Sequence, residues 1–308
     1  MRLATIKLRG QEIAGIDISK GVMPISAINA YKGTAWQTEL FPLICAGEVV
    51  GLTDWYNNGG EAELDKIPGI IPKEKVTYGP LYRNPKRIFG IGLNYKEHAG
   101  DIGSAPITGF PGSFFKQADT LIGSGDAIKL PMLEEAQRTT AEAELGIILA
   151  KDCRDVDVED WQSVIAGYTT ILDMTEESIL KGNDYLQGNP RYLTIVKNFP
   201  TFFSFGPQLI TPDEVDDVCQ LNVQSVHNGI IHAENIVGHM NHLPSRLISL
   251  HSRIQGWFAG DVLSTGTPRA FPIQDGDIAE CRIQGPGGFG MESLVNPVVD
   301  LKIHPDKQ

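Results

Sequence analysis

The sequence predicts a mixed β fold with few helices, an α+β protein, and three observations predict it. From residue 87 onward the chain is a series of short β-type runs, at residues 87–92, 127–130, 145–150, 165–172 and 278–283, separated by Gly- and Pro-containing turns. Apolar-rich runs flank Asn228-Gly229, two residues that tolerate the positive φ of a type I′ turn, so a hairpin is expected there. Helical periodicity is best over residues 159–165 and 243–256; in the second, Pro244 suits a first turn and Gly256 suits the end of the last.

Ahead of these runs, residues 1 to about 80 read as strands and short helices. They end in Ile67-Pro68-Gly69-Ile70-Ile71-Pro72, the expected linker. The expected organisation is a small N-terminal α+β domain over residues 1–80 and a larger catalytic unit over 81–308, within what 308 residues allow. A hydrophobic share of 42% supports a sizeable core and excludes a disordered chain. With 26 basic against 38 acidic residues the net charge is -12, which repels nucleic acid and anionic membranes and leaves no basic footprint. Cys45, Cys153, Cys219 and Cys281 lie far apart with no Cys-x-x-Cys pair, so neither a zinc ribbon nor a disulfide framework is expected. Residues 1–8 lack a long apolar segment and no apolar run approaches membrane-spanning length, so the expectation is a cytoplasmic protein.

The chemistry-bearing residues are mostly charged side chains at strand positions. Glu142 and Glu144 stand two apart at the head of an apolar run, and side chains two apart on a strand share a face. Carboxylates entering a core need a cation or hydrogen bonds to offset their desolvation. Asp173, at the end of the run 165–172, could complete a set of hard oxygen ligands for Mg²⁺, Mn²⁺ or Ca²⁺ rather than zinc. The same Glu-x-Glu spacing also suits the solvated face of a half-buried sheet. If residues 94–101 are helical, Asp101 faces His98 at i+3 and orients it as a general base; His98 as a surface or capping residue, and Asn94 as a simple N-cap, are the competing readings. Lys116 and Lys197 are flanked by apolar residues and can steady an anion, or can snorkel to water. Ser264-Thr265-Gly266-Thr267-Pro268 would form a tight loop whose N–H groups and hydroxyls suit a carboxylate, or a plain turn. His239 and His242 lack a third nearby ligand and are read as structural. Gly90-Ile91-Gly92 lacks the third glycine of a dinucleotide loop, and no Gly-x-Ser-x-Gly elbow is present, so Rossmann and serine-hydrolase sites are excluded.

Taken in order, these residues resemble the fumarylacetoacetate hydrolase superfamily over roughly residues 85–300. Asn94-Tyr95 with His98 is similar to its Asn-Tyr-x-x-His lid motif, and Phe115-Lys116 before Ile122-Gly123-Ser124-Gly125 is similar to its Phe-x-Lys segment. Gly167-Tyr168-Thr169 leading to Asp173, Lys197 with Phe199 and Phe205-Gly206-Pro207, and Gly260-Asp261-Val262 leading to Thr265-Gly266-Thr267-Pro268 also fit. The resemblance implies an incomplete, roll-like barrel, a homodimer, and Mg²⁺ or Mn²⁺ held by Glu142, Glu144 and Asp173. It implies substrate-binding places for Asn94, Tyr95, Glu177, Thr265, Gly266 and Thr267, and catalytic roles for His98, Asp101, Lys116 and Lys197.

The family spans acylpyruvate hydrolases, oxaloacetate decarboxylases and tautomerases, isomerases of aromatic catabolism and sugar-acid dehydratases, so fold and metal do not fix the reaction. The expected activity is carbon–carbon bond hydrolysis of an acylpyruvate-like 2-oxo acid or 1,3-dicarbonyl compound. The rivals are an oxaloacetate decarboxylase or tautomerase, a dehydratase or hydrolase of a sugar-derived 2-oxo acid, and an inactive metal-binding homologue. Three positions depart from the pattern. Asp101 stands where a glutamate is usual, Pro200 replaces an aspartate, and Glu177 occupies the place of an arginine that faces the substrate carboxylate. The last change is expected to weaken dicarboxylate binding and favour a neutral or hydroxylated tail.

Overall fold

The computed structural model describes residues 1–96, 109–181 and 192–308. The chain opens with β1 (Arg2–Leu8), β2 (Gln11–Ile18), β3 (Gly21–Pro24) and, after four short helices between Ile25 and Leu64, the two-residue β4 (Ile71–Pro72). Arg9 and Gly10 join β1 to β2 at φ of 50° and 79°, the paired positive φ that a two-residue hairpin requires. Part of the expected linker is thereby taken into the sheet, since β4 pairs with β3.

The rest of the chain supplies β5 (Ile88–Gly92), β6 (Gly112–Lys116), β7 (Leu121–Ile122), β8 (Ile128–Leu130), β9 (Thr139–Leu149), β10 (Ile165–Glu176), β11 (Phe203–Phe205), β12 (Gln208–Ile210), β13 (Asn222–His227) and β14 (Ile230–Ile236). It ends with β15 (Val262–Ser264), β16 (Ala270–Pro272), β17 (Ile278–Gln284) and β18 (Leu294–Asp300). One large sheet runs β4-β3-β2-β1-β12-β10-β9-β15-β5-β6, with β11, β7 and β16 attached at its sides; a second runs β14-β13-β17-β18-β8. The predicted mixed β architecture with few helices is the one observed.

Two expected features change on folding. Residues 159–165 give only a single 3-10 turn, Trp161–Val164, because Ile165 already pairs with Leu149 as the start of β10. The tertiary pairing of a β-branched and aromatic run overrides weak helical periodicity. The strands at 145–150 and 165–172 are also longer than the apolar runs, and their polar residues lie within β9 and β10 rather than at the ends. The hairpin at Asn228-Gly229 forms as expected, with φ of 51° and 80°, and the helix Pro244–Ile254 begins on its proline and is followed by Gly256 at φ 70°.

Every residue of β9 and β10 is buried, so both faces of this central pair are covered. On β9, Ala141, Ala143, Leu145, Ile147 and Leu149 face one apolar core with Tyr168, Leu172 and Met174 of β10. The other face begins with Thr140, Glu142 and Glu144 and ends at Ile148, which joins a second core shared with Leu3, Ile16 and Met23 of the N-terminal strands. The carboxylates therefore sit on the face that turns apolar deeper in the sheet. Among the described residues no helix is long and apolar enough to cross a membrane.

Candidate active site

Register brings the acids together. Glu142 lies directly opposite Asp173 in the antiparallel β9–β10 pair, and Glu144 is two residues along the same face. Glu142, Glu144 and Asp173 are all buried, and one carboxylate oxygen from each lies within 4.8 Å of the other two. This is the trio the sequence singled out.

The two lysines close on it from neighbouring segments. Lys116, the last residue of β6, donates from Nζ to Asp173 Oδ1 at 2.6 Å and to the backbone carbonyl of Lys197. Lys197 donates to Glu142 Oε2 at 2.7 Å and to Asp173 Oδ2 at 2.8 Å. Both lysines are 4% exposed, so neither snorkels to water. Burial pushes Lys116 down to about 8 against the pull of Asp173, and the nearby Lys197 ammonium adds to the fall. Burial acts the same way on Lys197, but Asp173, Glu142 and Glu144 together outweigh it and hold its ammonium above the ordinary lysine value. The two lysines move in opposite directions because one answers to a single carboxylate and the other touches two.

Glu144 is fixed from the other side. Its Oε2 accepts from Ser264 Oγ at 2.5 Å and from the Gly266 N–H at 2.7 Å, while Thr175 Oγ1 donates to Glu142 Oε1 at 2.6 Å. Gly266 stands at φ 102°, and a Cβ there would come 2.7 Å from Asn94 Cβ, so this close approach needs glycine. Burial first, then the charges of Asp173 and Glu142, hold the Glu144 carboxyl well above the ordinary range. Three carboxylates face two ammoniums, so the buried cluster is one cation short of ionising all three, and the raised Glu144 carboxyl registers that shortfall. Both Glu144 hydrogen bonds fall on Oε2, which leaves Oε1 for a cation. Hard oxygen donors with a deficit of positive charge fit Mg²⁺ or Mn²⁺.

The other expected site residues divide. Asn94 donates both amide hydrogens, to the carbonyls of His242 and Thr265, and accepts from the His242 N–H, so it ties its segment to the 264–268 loop. Tyr95 is fully buried in the main core. Thr265 Oγ1 donates to the Leu145 carbonyl and Thr267 Oγ1 to that of Arg269, so both hydroxyls brace the loop. Glu177 is buried and accepts from Arg138 Nε at 3.0 Å. His98 and Asp101 lie outside the described residues. Ser264 and the Gly266 N–H bind a carboxylate as the loop reading expected, that of Glu144, whereas Thr175 and Arg138 are polar contacts that spacing arguments missed; the one signal for Thr175 is its place two residues beyond Asp173 on the same face.

Fold and centre define a class: a β protein with a buried cluster of carboxylates and lysines suited to a divalent cation. The chain belongs to the fumarylacetoacetate hydrolase family, whose model, Fumarylacetoacetate (FAA) hydrolase C-terminal, matches residues 87–299. An uncharacterized protein of Pyrococcus horikoshii is 34% identical over 211 residues, covering 68% of this chain and 89% of that protein. The mitochondrial oxaloacetate tautomerase fahd2 of Xenopus laevis is 29% identical over 248 residues, covering 78% of this chain and 73% of that protein. Among solved structures, maleylpyruvate hydrolase from Sphingobium sp. SYK-6 in complex with manganese(II) and pyruvate superposes with a TM-score of 0.76. It is 24% identical and covers 97% of this chain and 99% of that one. The likeness extends the shared fold over the N-terminal strands as well.

Proposed function

We propose that this chain is a divalent-metal-dependent hydrolase that cleaves a carbon–carbon bond in an acylpyruvate-like 2,4-dioxo acid. The observation that carries the reading is the buried Glu142, Glu144 and Asp173 trio, in which three carboxylates meet only the two ammoniums of Lys116 and Lys197. The superposition of the chain's fold on that of a maleylpyruvate hydrolase crystallised with manganese(II) and pyruvate supports the same reading. Glu142, Glu144 and Asp173 would hold Mg²⁺ or Mn²⁺, and the ion would supply positive charge to the enolate that develops as the bond breaks.

The chain's own groups do the rest. Lys116 and Lys197 fix the carboxylates and add positive charge beside the anionic 2-oxo acid end. Ser264 and the Gly266 N–H keep Glu144 aimed inward. In the role the family resemblance gives it, His98 would take a proton from water with Asp101 as its partner. The water oxygen adds to the distal carbonyl carbon, the carbon–carbon bond breaks, and its electron pair passes to the pyruvate fragment, which is then protonated. Assembly as a homodimer in the cytoplasm is part of the proposal.

Tautomerisation of oxaloacetate is the second reading, favoured by the 29% identity to the Xenopus enzyme. It uses the same anion-holding groups without an attacking water. The test is to mix chelator-stripped protein with acetylpyruvate or oxaloacetate, with and without Mn²⁺, and measure acetate, pyruvate and enol absorbance. Metal-dependent acetate supports the hydrolase; enol–keto exchange alone selects the tautomerase. Glu144→Ala should abolish metal binding and turnover. His98→Ala should keep the metal and lose hydrolysis by about 10²- to 10⁴-fold; an unchanged rate would remove His98 from the mechanism.

A further inference from the structure

We infer that Arg138, anchored by Glu177, is a second anion-binding point of this site and receives a carboxylate at the far end of the substrate. The inference rests on the reading that the 2-oxo acid end sits at Glu142, Glu144 and Asp173.

Cross-strand register carries it. Glu142 pairs with Asp173 and Thr140 with Thr175 along one face of β9 and β10. The Glu177 N–H donates to the Arg138 carbonyl at 2.8 Å, which sets the first residue of the helix Glu177–Lys181 beside the residue that precedes β9. The order outward is therefore three carboxylates with two lysines, then two threonines, then an arginine and a glutamate. Arg138 lies four residues from Glu142, about 13 Å along an extended chain.

The pair is not symmetric. The Glu177 side chain is 9% exposed and that of Arg138 is 55% exposed. A carboxylate so deeply placed needs a partner, and Arg138 Nε at 3.0 Å is one. Among the described residues the two terminal amino groups of Arg138 make no hydrogen bond. They present the planar fork that takes a carboxylate through two parallel bonds. Glu177 thus acts as a positioning residue, and its charge is already answered. The repulsion expected from an acid at position 177 is replaced by a cation turned toward solvent. A substrate chain of about eight carbons, with hydrogen bonds of ~2.9 Å at the far end, spans this distance.

The test is calorimetric titration of the full-length, Mn²⁺-loaded protein with 2-oxosuberate and 2-oxooctanoate, which have the same chain length and differ in the distal carboxylate. Oxalate serves as a reporter of the metal end. The wild type should bind the diacid about tenfold more tightly than the monoacid. Arg138→Gln should erase that ratio, and Arg138→Lys should restore only part of it, because lysine lacks the fork. Glu177→Gln should leave a reduced ratio. If oxalate binds normally and the wild type shows no diacid preference, or Arg138→Gln keeps it, the inference is overturned while the site reading stands. If oxalate fails to bind the metal-loaded protein, the reading of the metal end falls and this inference falls with it.

Discussion

Glu142 and Glu144 share a direction because β9 is pleated, and they remain buried because hydrogen-bond donors and cations meet them there. Thr175 Oγ1 on Glu142 Oε1 and Ser264 Oγ on Glu144 Oε2 orient the two acids without adding charge. Such supporting bonds typically contribute 10- to 100-fold in metal affinity. Thr175→Val keeps the β-branched shape and removes only the hydroxyl, so Mn²⁺ affinity should fall by about tenfold or more while the melting temperature moves little. An unchanged Kd by calorimetry would mean that Lys197 alone aims Glu142. The acid trio was legible because period-two spacing and an apolar run are local features of sequence. Thr175 and Arg138 were not, since their roles exist only through the pairing of β9 with β10, some 33 residues apart in the Thr175–Glu142 bond. The two lysines were legible as candidates, but not their division of labour, which depends on how many carboxylates each one touches.

At the scale of elements, the β13–β14 hairpin combines a local signal with a long-range clamp. Asn228 and Gly229 supply the turn, and Asn228 Nδ2 donates to Asp277 Oδ1 at 2.8 Å while His227 Nε2 lies 2.9 Å from Asp277 Oδ2. The Gln274 N–H completes the set at 2.9 Å. Burial works to raise the Asp277 pKa, but the bonds from Asn228, His227 and Gln274 outweigh it and hold the carboxyl below its ordinary value. A depressed carboxyl contributes stability that is complete above its unfolded pKa of about 3.9 and is lost as pH falls through the lower, folded value. Asp277→Asn should therefore lower stability to urea at neutral pH. Its deficit against wild type should shrink steadily below about pH 4. A deficit constant from pH 7 to pH 2.5 would mean that the ionised carboxylate contributes nothing. The turn could be read from two adjacent residues; Asp277 could not, because it reaches the turn from the start of β17. The helix expected over residues 159–165 failed for a related reason: Ile165 pairs with Leu149 of β9, which leaves only the single turn Trp161–Val164.

Strand order is the least local property of the molecule. β1 pairs with β12, so that Arg2 faces Ile210 across more than two hundred residues of sequence, and no spacing rule reports such a partner. Through that pairing the N-terminal hairpin becomes part of the large sheet, and Asp17 of β2 accepts from Gln208 Nε2 of β12 at 2.8 Å. The core beneath it mixes Leu3, Ile16 and Met23 with Ile148, Ile171 and Leu209. A division near residue 80 therefore crosses a continuous sheet and a shared apolar core, and the two parts should lose structure together. The tryptophans allow a direct test. Trp36 and Trp55 pack on the shared core, while Trp161 and Trp257 belong to the core on the opposite face of β9 and β10. In urea, a variant with Trp161→Phe and Trp257→Phe reports the first region, and one with Trp36→Phe and Trp55→Phe reports the second. Each variant's fluorescence midpoint should coincide with its own far-ultraviolet dichroism midpoint, as one cooperative transition requires. An early fluorescence transition at Trp36 and Trp55, ahead of the loss of backbone dichroism, would show instead that the N-terminal strands release independently and that the acid-bearing face of β9 and β10 keeps its structure without them.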